Sequence, residues 1–445
     1  MESWIEAELA GLELGDERLH SRLGRLLDLL ERRPASSLPE ACGSWRELIG
    51  AYRFFFNPKV SLCGVISGHR QATVERMRGE RVVLCVQDTT FLNFGDCPQT
   101  DGLGPHTYGH ECGLSLHPVV AVSENGECLG TLWAKSWAKD PAQTGKVTYK
   151  KRPIQQKESW RWVEGLDQIN QLPEDLPARV MVADREADIY DLMSRPRSAG
   201  VHWLIRAMHN RRTLEKEGML EVLNRSNPLG EVELEVPRRP GIAARTARME
   251  IRAGRIQIAV PASSSGGVQT PLELSVIRSR EIGEGSLDWI LLTDLPVNTL
   301  EQALEKVRWY RCRWKIEELF HVLKSGCQSE HLQLENRSRL EAALGVYLMV
   351  AWRLMHLKEQ SRFHPDQDSS LLLSQWEWQT LAKLNKHPSA AAAPDLQQAV
   401  CWIAQLGGYL NRKHDPPPGI KTIWKGWRRL QDITLGVALA SDTCV

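Results

Sequence analysis

Two short apolar runs in this chain end in an acid, RVVLCVQD (81 to 88) and ARVMVAD (178 to 184), and they limit the fold more than any other feature. Each is a run of the kind that forms a buried strand, and each would deliver a carboxylate, Asp88 or Asp184, to the edge of a sheet. Further strands are expected at LHPVVAVS (116 to 123), CLGTLWAKSW (128 to 137), WLIRAM (203 to 208) and DWILLTDLP (288 to 296). A Lys-rich helix near 155 to 170 and a helix at EADIYDLMS fall between them. Strands followed by alternating strand and helix give an α/β fold, a mixed sheet with helices packed on it.

The rest of the chain sorts around that sheet. Residues 1 to about 75 read as a helical module, because LHSRLGRLLDLLERR and SWRELIGAYRFFFNP show helical periodicity and stop at prolines. Between about 210 and 285, EVELEVPRRPG, ARTARMEIRAGRIQIAV and PLELSVIRSREIG give short alternating strands with Gly and Pro turns, a β-rich insertion. LEAALGVYLMVAWRLMHL (340 to 357) is apolar apart from Glu341 and Arg353, and its charged flanks favour a buried helix over a membrane span. Residues 370 to 445 are Trp-rich and helical, with an Ala-rich linker at 389 to 393. The expected domains are 1–75, helical; 76–369, the sheet with its insertion at about 210–285; and 370–445, a C-terminal helical region.

Composition sets mild bounds. A chain of 445 residues with 42% hydrophobic and 25% charged residues reads as an ordinary soluble protein of two or three domains. The start, MESWIEAELAGLELGDERL, lacks a signal-peptide layout, so a cytoplasmic location is expected, with no membrane partner. Ten cysteines without a regular framework are expected to be reduced thiols. A net charge of +1 does not announce a nucleic-acid partner, yet the cations cluster at 146 to 162, 238 to 255 and 421 to 429. Local patches of that kind hold phosphates although the total is balanced, and the first interleaves Tyr149, Trp160 and Trp162. His106, His110 and Cys112 have a spacing that invites zinc, but no second ligand pair follows and a polar loop is the preferred reading.

The most unusual stretch begins after Thr299 and Gln302, which resemble a capping box. In a continuous helix Tyr310, Arg313, Glu317 and Lys324 would fall within roughly 60° of one stripe. A core stripe would be apolar; this one sets a carboxylate among groups that grip phosphates. If the fold brings Glu317 to Asp88 and Asp184, the three acids make an oxygen-rich site for Mg²⁺ or Mn²⁺. Two such ions ~3.5 to 4 Å apart support phosphoryl transfer.

At these residues the chain resembles a family. QDTT (87 to 90), VADREADIYDLM (182 to 193) and the Y-x2-R-x3-E-x6-K arrangement from Tyr310 to Lys324 look like the DDE transposases of the insertion-sequence-four group. So do LGDERLHSRL (14 to 23), GAYRFFFNPKVS (50 to 61), KESWRW (157 to 162), DWILLTDLPV (288 to 297) and GGYLNRKHDPPPGIKTIWKGWRRL (407 to 430), nearly end to end. The resemblance implies an RNase H-like core with the β-rich insertion between the second Asp and the Glu, an N-terminal DNA-binding module and a C-terminal dimerising region. It implies a bacterial cut-and-paste enzyme, cleaving transposon ends through a DNA hairpin and joining them to target DNA as a homodimer in a synaptic complex, without a nucleotide cofactor. By that likeness Asp88, Asp184 and Glu317 hold two Mg²⁺ ions, with Mn²⁺ as a substitute. Tyr310, Arg313 and Lys324 hold phosphates, and Trp289 with Trp314 stacks a flipped base, which needs an aromatic plane once unstacked. His321 stands where the family pattern has a Lys, so its phosphate contact is expected to be weaker or pH-dependent.

Blander readings compete. Asp88 alone fits a turn cap; Glu186, Asp188 and Asp191 fit a helix start or a salt-bridged face; Glu318 fits a surface pairing acid; Trp289 fits a core residue. A catalytically silent DNA-binding regulator or domesticated copy, and a stand-alone nuclease, are the alternatives for the whole chain.

Overall fold

The computed structural model describes residues 4–95, 99–106, 111–140, 153–236, 245–261, 270–283, 287–387 and 392–442. His110 of the zinc reading, residues 146 to 152 of the first basic run, 238 to 244 of the second and 389 to 391 of the Ala-rich linker lie outside them.

One mixed sheet organises the molecule. Its strands are β1 Val82–Gln87, β2 Thr90–Asn93, β3 Gly104–Pro105, β4 Cys112–Ser123, β5 Cys128–Trp137, β6 Ala178–Ala183, β7 Val201–Arg206, β8 Gly230–Val236, β9 Arg245–Ile258, β10 Leu272–Glu281 and β11 Asp288–Thr293. The order is β2-β4-β1-β6-β7-β11-β10-β9-β8, with β3 and β5 also on β4. β4 lies antiparallel to β1 and to β5, while β6 and β7 run parallel to β1. This is the RNase H-like sheet that the resemblance implies. The β-rich insertion lengthens it: β10, β9 and β8 add antiparallel strands beyond β11, itself antiparallel to β7.

Burial explains the middle strands. Every residue of β1 is buried, as expected of a strand covered on both faces. Val82, Leu84 and Val86 belong to the core shared with the helix Arg337–Phe363 and with the N- and C-terminal helices. Val83 and Cys85 belong to the core under Trp162, Val163 and Leu166 of the helix Trp160–Asn170. The apolar helix Arg337–Phe363 is long enough to span a membrane but is buried along most of its length, as the sequence suggests.

Two expectations need correcting. The stretch from Tyr310 to Lys324 is not one helix. Helix Leu300–Arg311 ends, Cys312 and Arg313 turn, helix Trp314–His321 follows, and Val322–Gly326 winds as a π-helix. The amides of Arg313, Lys315 and Ile316 bond back three residues rather than four, and that tightening breaks the straight stripe. EADIYDLMS is also not a full helix: a 3-10 turn at Arg185–Ala187 precedes the short helix Tyr190–Met193. Asp188, read as a helix-start acid or part of a salt-bridged face, does pair, but from a buried position. It accepts from the amides of Met208 and His209 and pairs with Arg211, fixing the chain that leaves β7.

Candidate active site

The register of three parallel strands sets the site. Val86 pairs with Val182, and two residues further on stand Asp88 and Asp184. Ala183 pairs with Ile205, so continuing that register by one residue sets Asp184 opposite Arg206. Adjacent strands are about 4.8 Å apart, so Asp88, Asp184 and Arg206 form a row at one end of the sheet. In the sequence Arg206 passes as part of a strand. It nevertheless shows the same signal as the two acids, a charge towards the end of an apolar run.

Each acid has one oxygen tied locally. Asp88 Oδ1 accepts from the Thr89 amide at 2.7 Å, and Asp184 Oδ1 from the Glu186 amide at 2.9 Å. The second oxygen of Asp88 accepts from Arg313 Nη1 at 2.6 Å, while Arg313 Nη2 donates to Glu317 at 2.5 Å. The turn at Cys312 and Arg313 carries this guanidinium to the strand ends. Burial, with Asp184 and Glu317, raises the Asp88 carboxyl to about 6 against the pull of Arg313 and the Thr89 amide. Among the described residues no three His, Cys, Asp or Glu side chains form a ready metal cluster; Asp88 and Glu317 meet through Arg313. The donor set nevertheless suits a divalent cation, since these acids already hold a cation between them and a hard ion prefers carboxylate oxygen. Arg313 Nε is buried without a partner among the described residues.

Aromatic groups continue the site. Trp289 of β11 is half-buried and meets Tyr310 edge-on, ring centres 5.5 Å apart. Burial raises the Tyr310 hydroxyl pKa, opposed by Arg313 and Arg206. Trp314 is 50% exposed, with the Arg313 guanidinium 5.7 Å from its ring centre. Lys324 donates to the Phe91 carbonyl of β2 at 2.5 Å, so it sits at the opposite margin. His321 lies 5.1 Å from the Trp424 ring of the C-terminal helix Ile420–Asp442, turned towards that helix.

Behind the acids runs a chain of polar groups that the sequence does not announce. Arg161 donates through Nε to Thr89 Oγ1 at 2.7 Å and through Nη2 to Glu186 at 2.5 Å. Thr89 Oγ1 lies 2.9 Å from His117 Nδ1, and His117 Nε2 lies 3.1 Å from Gln87 Oε1. Because Gln87 Oε1 only accepts, Nε2 of the neutral ring donates to it, and Nδ1 is left to accept from the Thr89 hydroxyl. Burial, helped by Arg161 and Lys135, holds His117 far below the usual imidazole range and therefore neutral. Gly165 lets its helix lie on this chain: a Cβ there would stand 2.4 Å from Gln87 Oε1.

A separate basic concavity of about 670 Å³, on the N-terminal helices, is lined by Arg18, Arg22, Trp45, Arg46 and Arg53.

Three family descriptions match the chain: "Transposase DNA-binding" over residues 1–60, "Transposase DDE domain" over residues 162–353 and "Transposase Tn5 dimerisation domain" over residues 349–442. The second takes in Asp184 and Glu317, while Asp88 lies ahead of it. Among solved structures, the piggyBac transposase synaptic complex with hairpin DNA is similar at 10% identity, covering 95% of this chain and 76% of that one with a TM-score of 0.35. A likeness that distant carries no argument.

Proposed function

This chain belongs to the Tn5-like DDE transposases of the insertion-sequence-four family, and from that membership we propose that it moves its own element by cut-and-paste. Members are metal-dependent enzymes of DNA cleavage and transfer, and this one carries the family's DNA-binding and dimerisation regions. The proposed substrates are the terminal repeats of the element, bound by a homodimer in a synaptic complex, and a target duplex. No nucleotide cofactor is needed, because each step is an in-line displacement at phosphorus.

Asp88, Asp184 and Glu317 would hold the divalent ions, Mg²⁺ or Mn²⁺, two to a site. Bound there, they supply an acidified attacking hydroxyl and charge for the leaving oxygen. The rest falls to the chain. Arg313 exchanges its bonds to Asp88 and Glu317 for the scissile phosphate. Lys324 spends one donor on Phe91 and stands 3.7 Å from Glu330, an ion pair it loosens to meet a phosphate. Tyr310 supports Trp289 edge-on, so that Trp289, with Trp314 exposed beside Arg313, offers a plane to a base displaced in hairpin formation. His321 contacts the backbone beyond them. The basic concavity around Trp45 faces the terminal repeat.

The observation that carries this reading is the register that sets Asp88 beside Asp184 while one guanidinium ties Asp88 to Glu317. The test is incubation of the purified protein with DNA bearing its own element's ends and Mg²⁺, products resolved on denaturing gels. Cleavage at the element boundary with hairpinned ends is expected, and none from Asp88→Ala or Glu317→Ala. Specific binding without cutting by the unaltered chain points to a silent regulator, and scattered nicks to a plain nuclease; either result sinks the proposal.

A further inference from the structure

We infer that Arg161 is a positioning residue that fixes the distance between Asp88 and Asp184, and so sets how tightly the site holds divalent cations. The inference rests on the reading of those two acids as metal holders. Asp88 leans on the amide of Thr89, and Asp184 leans on the amide of Glu186. The side chains of those same two supporting residues are gripped by one guanidinium, Thr89 by Nε at 2.7 Å and Glu186 by Nη2 at 2.5 Å. The two loops follow different strands and, among the described residues, share no loop backbone bond, so Arg161 straps one to the other.

Arg161 is itself held. It is buried, its Nη1 donates to the Glu158 carbonyl at 2.9 Å, and its guanidinium lies 5.3 Å from the Trp162 ring centre and 5.6 Å from that of Trp137. On the Thr89 side the strap continues through His117 to Gln87, the last residue of β1. Every hydrogen in that chain has one direction, because it begins at a group that only donates and ends at a carbonyl that only accepts. A planar fork with fixed donor angles performs this task; a Lys ammonium at the same place reaches one partner or the other.

The test is Mn²⁺ binding to the full chain on its uncut end DNA, read from the loss of the free-ion electron paramagnetic resonance signal. Unaltered protein is compared with Arg161→Gln, Arg161→Lys, Glu186→Gln and Asp88→Ala. Removal of groups that orient metal-binding carboxylates weakens affinity roughly 10–100-fold, and that loss is expected for Arg161→Gln, with Arg161→Lys between it and the unaltered chain. Glu186→Gln takes the charge from one arm and leaves a weaker amide acceptor on a side chain that is 62% exposed, so it keeps the fold, and a loss of a few-fold is expected. End-DNA binding stays within about threefold throughout, which separates positioning from general damage. Unchanged Mn²⁺ affinity in folded Arg161→Gln overturns the inference; if that variant does not fold, unchanged affinity in Glu186→Gln overturns it. Should Asp88→Ala bind Mn²⁺ as the unaltered chain does, the underlying reading of the acids fails, and the inference with it.

Discussion

At the scale of single residues, Arg313 decides how the site rests and how it responds. Its two terminal nitrogens are each committed to a different acid, at 2.6 Å to Asp88 and 2.5 Å to Glu317. An ammonium has donors enough but no fork, so Arg313→Lys is expected to fold and bind end DNA within several-fold, yet cut on the order of 100-fold more slowly. Single-turnover cleavage beside a band shift checks this, and cutting at the unaltered rate refutes it. The residues themselves are legible in the sequence to different degrees. Asp88 and Asp184 stand out because a charge that closes an apolar run marks the point where a buried strand reaches its edge. Glu317 stands out beside Arg313, but the uniform 100° stripe that suggests their grouping does not exist. What unites them is a turn at Cys312 and Arg313 that brings one side chain to a distant strand end. Arg161 is hidden in a run of cations that reads as a track for DNA phosphates, since periodicity does not show which of several basic residues is turned inward.

At the scale of elements, the helix that carries Glu317 is gripped from behind. Lys315 pairs with Glu359 at 2.5 Å, Glu318 pairs with Lys358, and Glu359 also accepts from the Cys128 amide of β5 at 2.5 Å. Glu318 therefore does pair, as its position next to Glu317 suggests, but with a buried partner on the central helix. The sequence LKEQ at the end of an apolar helix looks solvent-facing, so the depth of this cluster is not readable from it. Glu359→Gln takes the nearer anion from half-buried Lys315, leaving Glu318 at 3.9 Å, and a loss of about 1–3 kcal/mol is expected, measured as a fall in urea midpoint at constant slope. An unchanged midpoint contradicts the role given to the cluster. A second close contact governs the C-terminal helices Leu396–Leu406 and Ile420–Asp442. A Cβ on Gly426 would stand 1.7 Å from the Ile403 carbonyl, and one on Gly407 1.9 Å from that of Thr422. Gly426→Ala must force the two helices apart, at a cost of about 1–3 kcal/mol. It is expected to weaken dimer formation on end DNA, seen by light scattering, while single-end binding by the N-terminal region persists. Full dimerisation would show that this crossing is irrelevant to assembly.

Across the whole molecule, the N-terminal helices are bolted to the sheet rather than merely tethered to it. Glu8 on the first helix is buried against His69 at 2.5 Å and against Arg76 at 2.6 Å. His69 Nε2 in turn accepts from the Thr131 amide of β5, and Arg76 donates to the Leu129 carbonyl. Burial pushes the Glu8 carboxyl up, but His69 and Arg76 outweigh it and hold the pKa down at about 2, against an ordinary 4.5. The sign follows directly. A carboxyl whose folded pKa is depressed contributes stability that is complete above the unfolded value and is lost as pH falls through the folded one. The window is therefore from about 4.5 down to about 2, and the contribution at stake is about 3 kcal/mol for Glu8 alone. Glu8→Gln removes the titrating group, leaving Arg76 without its anion and His69 Nδ1 with a weaker acceptor. The variant is expected to be less stable at pH 6 and to lose less further stability between pH 5 and pH 3 than the unaltered chain. Urea titrations at those three pH values separate the two effects, because a general weakening lowers every midpoint by a similar amount. Parallel pH profiles for both proteins would mean that Glu8 does not couple the DNA-binding end of the chain to the sheet through its charge.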